Sequence, residues 1–204
     1  MAGNINSLNI DGIELFSDCL AQATLIVKQV LPSHYTNATP DTEWDVRDLT
    51  GHMLALIEAV PAALYGSNEL VDEPYDEQDM DNAGLDLSVQ WQAAVDRVEA
   101  AVSEVDAEET VLYHGEQTAV ENLLIEVAGD LLIHAWDLGE AIGMPVRFKP
   151  TVAEAVMETT IVPNKLMLSS HTLFAEPIDP PANADLQARL LALFGRSHAW
   201  RTAA

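Results

Sequence analysis

The stretch Leu123-Leu124-Ile125-Glu126-Val127-Ala128-Gly129-Asp130-Leu131-Leu132-Ile133-His134 decides how the rest of the chain is read. It belongs to a helical run from about Val120 to Ile142, where Gly143 and Pro145 mark the end. Asp130 and His134 stand four residues apart, so both side chains leave one face of the helix, one turn apart. Leu123 and Val127 lie on or beside that face, which therefore looks inward. An acid and an imidazole turned towards an interior call for other helices around them, and the flanking sequence supplies these.

Upstream, Thr110–Val120 reads as a small β-hairpin, and about Leu85 to Val105 as a helix. Residues 67–80 are acidic and turn-rich and read as a solvated loop. A further helix begins at Asp45, a good N-cap, with Asp48 three residues later to complete a capping box. It continues to Tyr65, before Gly66. Trp44 precedes the cap and reads as an apolar staple. The first helix spans about Asp11 to Leu31 and is stopped by Pro32, behind a flexible arm over residues 1–10. Downstream, helices are expected over about Thr151 to Met167 and Ala184 to Phe194, with a Pro-rich loop over Phe174–Ala184. Neither an internal repeat nor a long linker divides the chain, so residues 11–200 read as a single helical domain.

Composition agrees with an all-α protein. Of 204 residues, 49% are hydrophobic, enough for a sizeable core, and Ala and Leu dominate over β-branched and aromatic runs. The 33 acidic against 9 basic residues give a formal charge of −24. Such a surface repels nucleic acid and anionic membranes. Its plain reading is an acidic, solvated exterior. The one cysteine, Cys19, forms no internal disulfide and lies in a helical run, where a buried inert thiol is expected. No secretory leader opens the chain and no apolar stretch is long enough to span a membrane, so a cytoplasmic protein is expected.

The residues able to carry chemistry are few. His52 shares a helical face with Leu49, Leu56, Ala59, Val60 and Ala63, and so points into the core stripe. Two histidines and one carboxylate on facing helices are ligand types for zinc or nickel, and bundles build metal sites in this way. From pattern alone, His52, Asp130 and His134 read either as a metal site or as core polar groups. Glu126, two turns before His134 on nearly the same face, reads as a supporting or alternative ligand, or as a solvated acid. Asp137 lies near the same arc and reads as a partner orienting a ligand histidine, or as a surface charge or a helix-lining salt bridge. Trp136 turns away from this arc towards another helix. His114 would approach from the hairpin, and Arg47 and Arg97 are among the few cations for an anionic substrate. No Ser-His-Asp order, phosphate loop or nucleotide fingerprint points to another enzyme class.

At these residues the sequence resembles a known superfamily. Trp44-Asp45-Val46-Arg47-Asp48-Leu49-Thr50-Gly51-His52 is similar to the first metal motif of the DinB/YfiT-like proteins, of the mycothiol-dependent maleylpyruvate isomerase N-terminal type. Asp130-Leu131-Leu132-Ile133-His134-Ala135-Trp136-Asp137-Leu138 is similar to the second. Leu193-Phe194-Gly195-Arg196-Ser197-His198-Ala199-Trp200 and Phe174-Ala175-Glu176-Pro177-Ile178 resemble segments of a group of small actinobacterial metal-binding proteins.

The resemblance implies a four-helix bundle of up-down-down-up order, with short extra helices. It implies one divalent metal held by His52, Asp130 and His134, a low-molecular-weight thiol such as mycothiol or bacillithiol as partner, and a homodimer. The isomerase branch places Glu where this chain has Asp130. The shorter arm would draw the metal towards its own helix, alter the metal preferred and weaken any transfer of the isomerase activity. The separate C-terminal domain of the isomerase is not expected here. The implied function is metal-dependent thiol S-transfer, isomerisation or hydrolysis of an electrophile. The alternatives are a non-catalytic metal-binding or stress-related bundle, or an acidic partner-binding bundle.

Overall fold

Asp11 starts the first helix by accepting a hydrogen bond from the Glu14 amide (3.0 Å), which satisfies one of the donors a helix leaves open at its N-terminus. The computed structural model describes residues 11–42, 44–66, 87–113, 116–161 and 175–200. The elements are α1 (Gly12–Val27), α2 (Val46–Leu64), α3 (Leu87–Val102), β1 (Thr110–Tyr113), β2 (Glu116–Ala119), α4 (Val120–Ala141), α5 (Pro150–Ile161) and α6 (Leu186–Leu193), with a 3₁₀ turn over Pro32–His34. The expected arm over 1–10, the acidic loop over 67–80, His114 and the end of the fifth helix up to Met167 lie outside the described residues.

Helix boundaries follow their caps. Asp45 accepts from the amides of Arg47 (2.9 Å) and Asp48 (3.0 Å), and Asp48 accepts from the Asp45 amide (3.2 Å), completing the expected capping box. The first helix is shorter than expected, ending at Val27 and not at Leu31. Its chain tightens into i→i+3 bonds, Gln29 to Ile26 (2.8 Å) and Val30 to Val27 (3.0 Å). Leu31 is extended at φ −111°, ψ 156°, as the residue before a proline must be, so Pro32 acts some way ahead of itself. The third helix likewise ends at Val102, before Val105. The expected hairpin is present, antiparallel, pairing Thr110 with Ala119 and Tyr113 with Glu116.

Four helices form the bundle, and their packing order and directions can be read from contacts. α1 packs on α4 and α3, and α2 packs on α3 and α4. Gly12, at the start of α1, lies against Glu121 and Ile125 at the start of α4. Gln22, near the end of α1, donates to the Arg147 carbonyl beyond the end of α4 (3.2 Å). These two helices therefore run parallel. Trp91, early in α3, donates to Thr24 late in α1 (2.9 Å), so α3 runs against them. Asn37, ahead of α2, donates to the Ala141 carbonyl at the end of α4 (3.0 Å), so α2 does too. The order is up-down-down-up, as the resemblance implied.

α4 is the central element, buried at every residue from Val127 to Ala141. A helix wrapped on all sides is normally apolar all round, yet this one carries Asp130, His134, Asp137 and Glu140 into the interior. Elsewhere the core is mainly aliphatic, with Phe16, Trp91 and Phe194 as its most fully buried aromatic members. Among the described residues no helix is long and apolar enough to cross a membrane.

Cys19 is fully buried, and burial, followed by the nearby Asp18 carboxylate, pushes its thiol up to about 12. Since the thiolate is the reactive form, the native protein should not react with a disulfide reagent at pH 8 on a timescale of minutes. The same chain in denaturant should release one equivalent. Rapid native labelling would contradict the buried placement.

Candidate functional site

The two histidines singled out from sequence meet between α2 and α4. Their ring centroids lie 5.0 Å apart with an 82° interplanar angle, edge towards face. His52 is half-buried, but its Nε2 is fully enclosed and has no hydrogen-bond partner. A buried polar atom left in this way costs about 1–3 kcal/mol. Burial first, and His134 second, lower the His52 pKa to about 3, so this imidazole is neutral and its ring nitrogens are free of the second proton.

His134 is fully buried, and its Nδ1 lies 3.2 Å from Asp137 Oδ2. The expected orienting role of Asp137 therefore has its geometry. Asp137 is itself wholly buried and held by Arg196. The guanidinium reaches Asp137 with Nε (3.2 Å to each oxygen) and Nη2 (2.9 Å to Oδ2). Nη2 also reaches Asp41 Oδ2 (2.6 Å), and Nη1 donates to the Phe194 carbonyl (3.1 Å). Burial works against this charge, but Asp137 and then Asp41 more than offset it and raise the Arg196 pKa.

The indole of Trp44 covers the pair, with its centroid 4.5 Å from that of His52 and 5.8 Å from that of His134. Read as a staple in the sequence, it is also the roof of the site. A compact turn seats it. The Thr39 hydroxyl stands 2.8 Å from the carbonyl oxygens of both Asp41 and Trp44 and accepts from the Asp41 amide (3.1 Å).

Asp130 is buried one helical turn before His134. Its pKa is raised well above the ordinary carboxyl value, by burial first and by Glu126 second, with Arg196 opposing. Glu126 is half-buried within electrostatic reach of Asp130. Among the described residues no group of three His, Cys, Asp or Glu side chains stands in a metal-ligand arrangement, so the structure joins the two histidines but does not gather Asp130 with them.

Other candidates go elsewhere. Arg97 pairs with Glu58 at the surface. Trp136 lines a surface cleft together with Gln187, Ala188 and Leu191 of α6, away from the histidines as its position on the helix predicts. Arg196 was not singled out by sequence reasoning, although an arginine one residue after a helix-ending glycine, in a chain so poor in cations, was a signal available to it.

Comparison with known proteins agrees with this architecture. The family model of the mycothiol maleylpyruvate isomerase N-terminal domain matches residues 16–139. The crystal structure of the mycothiol-dependent maleylpyruvate isomerase shares the fold at a TM-score of 0.55 and 17% identity, covering 72% of this chain and 65% of that one. A histidine-to-alanine mutant of that enzyme superposes with a TM-score of 0.56 at the same identity and coverage. The chain thus spans 65% of the length of these solved relatives. No curated protein sequence matches it. Because that family model matches more than half its length, the chain belongs to the mycothiol maleylpyruvate isomerase N-terminal domain family.

Proposed function

We propose that this protein binds one divalent metal ion, zinc or nickel, through His52, His134 and Asp130, and uses it in a reaction of a low-molecular-weight thiol of the mycothiol or bacillithiol type. The observation that carries the reading is the pair of imidazoles meeting inside a bundle with the Nε2 of His52 buried and without a partner. Such an atom is tolerated in a core when it has a ligand to bind. Asp130 is the natural third donor, being buried one turn from His134 on the same helix; a cation nearby would favour its ionised form.

Each neighbouring residue has a task in this reading. Asp137 orients His134, and Trp44 keeps water from the rings. When bound, the metal would act as a Lewis acid that lowers the pKa of a coordinated thiol or water. Three protein donors leave room for such a ligand. The reaction class that follows is thiol S-transfer, or thiol-assisted isomerisation or hydrolysis, on a small electrophile. Membership of a family named for a mycothiol-dependent isomerase supports the choice of thiol.

The close cover of Trp44 over both rings favours a second reading, in which the metal is held without catalysis. Metal analysis of untagged protein, purified without chelator, tests the site. Near-stoichiometric metal is expected, lost in His52→Ala, His134→Ala and Asp130→Ala with the fold retained. No uptake after incubation with zinc or nickel would overturn both readings. In cobalt-substituted protein, added thiol should shift the visible spectrum and support turnover of model electrophiles. Metal without either response would leave the non-catalytic reading standing.

A further inference from the structure

The buried cation Arg196 is joined to both histidines by chains of contacts. One runs from Nε and Nη2 to Asp137, and from Asp137 Oδ2 to His134 Nδ1 (3.2 Å). The other runs from Nη2 to Asp41 Oδ2 (2.6 Å), into the Thr39–Trp44 turn and on to the indole over His52. We infer that Arg196 is the positioning residue of the histidine pair, fixing His134 as the Nδ1-protonated tautomer through Asp137 and seating Trp44 over His52 through Asp41.

The chemistry of the first arm leaves little choice. Both oxygens of Asp137 take hydrogen bonds from the guanidinium, the pairing made by a carboxylate, and a carboxylate can only accept from the imidazole. The Nδ1 of His134 must then carry the proton, and in the neutral ring Nε2 carries the lone pair. A tautomer set by the hydrogen bond at the other nitrogen is how ligand histidines are prepared. In the second arm, a planar fork with several donors can hold two carboxylates at once. Asp41 and Asp137 are 96 residues apart in the chain, and this one side chain ties them together.

Arg196 is held in place by its own segment. α6 ends in a Schellman motif, with Gly195 bonded to Ala192 (3.1 Å) and Arg196 to Leu191 (2.9 Å). Gly195 has φ +72°, a conformation suited to glycine. A Cβ there would stand 2.7 Å from that of Ala175 and 2.8 Å from the carbonyl oxygens of Ala175 and Glu176. The tail after α6 therefore has one seat, and that seat delivers the guanidinium to Asp137. The segment that closes the described chain is thus a component of the site.

The consequence for metal rests on the reading proposed above, whereas the tautomer does not, and the test separates them. Long-range proton–nitrogen spectra of metal-free protein labelled with ¹⁵N-histidine report the tautomer of His134 and, through ring-current shifts, the seat of Trp44 on His52. In the unaltered protein His134 should be protonated at Nδ1 alone, and the His52 ring protons should be shifted upfield. Asp41→Asn should release the His52 shift and leave the His134 tautomer unchanged. Arg196→Met should lose both features with helical circular dichroism retained. If that variant does not fold, Arg196→Lys serves, since one ammonium restores the charge beside Asp137 but not the fork. It should keep the tautomer and lose the Trp44 shift.

An Nε2-protonated His134 in the unaltered protein would overturn the inference. So would an Arg196→Met or Arg196→Lys protein in which both features persist. Zinc affinity of the folded Arg196 variant should fall by about 10- to 100-fold, the range for a residue that supports a ligand histidine. If the unaltered protein takes up no zinc while the tautomer responds as stated, the metal reading fails and the positioning role stands.

Discussion

Asp137→Ala is expected to lower the unfolding free energy by about 3–5 kcal/mol, the range for breaking a buried ion pair from one side. The substitution removes more than one contact. It strips the guanidinium of Arg196, 2% exposed, of the carboxylate it contacts through two nitrogens, and it takes away the acceptor at His134 Nδ1. Stripping a buried charge of such a partner in a low-dielectric interior is among the few single-site changes that reach this size. Asp137→Asn should lose less, because its amide oxygen still accepts from one of the two neighbours. Urea denaturation of the metal-free proteins measures the difference. A loss below about 1 kcal/mol would be the behaviour of an exposed pair and would contradict the buried chain of contacts.

The second large effect has the opposite sign. His52→Leu should stabilise the metal-free protein by about 1–3 kcal/mol at pH 7, because it replaces a buried nitrogen that has no partner by an apolar group of similar size. The same variant should change the acid limb of the stability curve. Folded His52 stays neutral down to about pH 3, whereas the unfolded chain takes up a proton below about 6.5. The unfolded state therefore binds more protons in this window, and stability is lost as pH falls from about 6.5 towards 3. Asp130 acts in reverse: its raised pKa makes stability fall as pH rises past the ordinary carboxyl range. The difference between His52→Leu and the unaltered protein isolates the histidine. An advantage for the variant that grows on acidification is expected. A variant less stable at pH 7 would mean that His52 is satisfied in the native state and is not waiting for a ligand.

The two substitutions together distinguish support from function. Asp137 and Arg196 belong to the fold's own energetics, so removing them destabilises. His52 is held at a disadvantage to stability, and an interior keeps such a group where it serves binding. On the reading proposed above, that contrast, more than the presence of two histidines, would mark the pair as a site and not a core contact.

Much of this was legible in the residues. Asp45 and Asp48 announced the start of α2, Gly66 and Gly143 its end and that of α4, and the turn chemistry of 110–120 the hairpin. Each is a contact within a few positions along the chain, set by backbone hydrogen bonds and their caps. Asp137 was legible as a partner of His134 for the same reason, since the two are three residues apart on one helix. The length of α1 was not legible, because the effect of Pro32 reaches back through Leu31 and a tightened last turn.

By itself, then, the sequence determined an all-α chain, the ends of its principal helices, and two histidines pointing inward from different helices. The tertiary structure alone decided what stands around them. Trp44 swings from a staple into a roof, Asp41 comes within reach of a cation 155 residues away, and Arg196 reaches Asp137 across 59. Periodicity reports which face of an element is buried but not what lies opposite it. Partners so far apart in sequence are fixed only when the loops between helices and the tail after α6 take their places on the packed bundle.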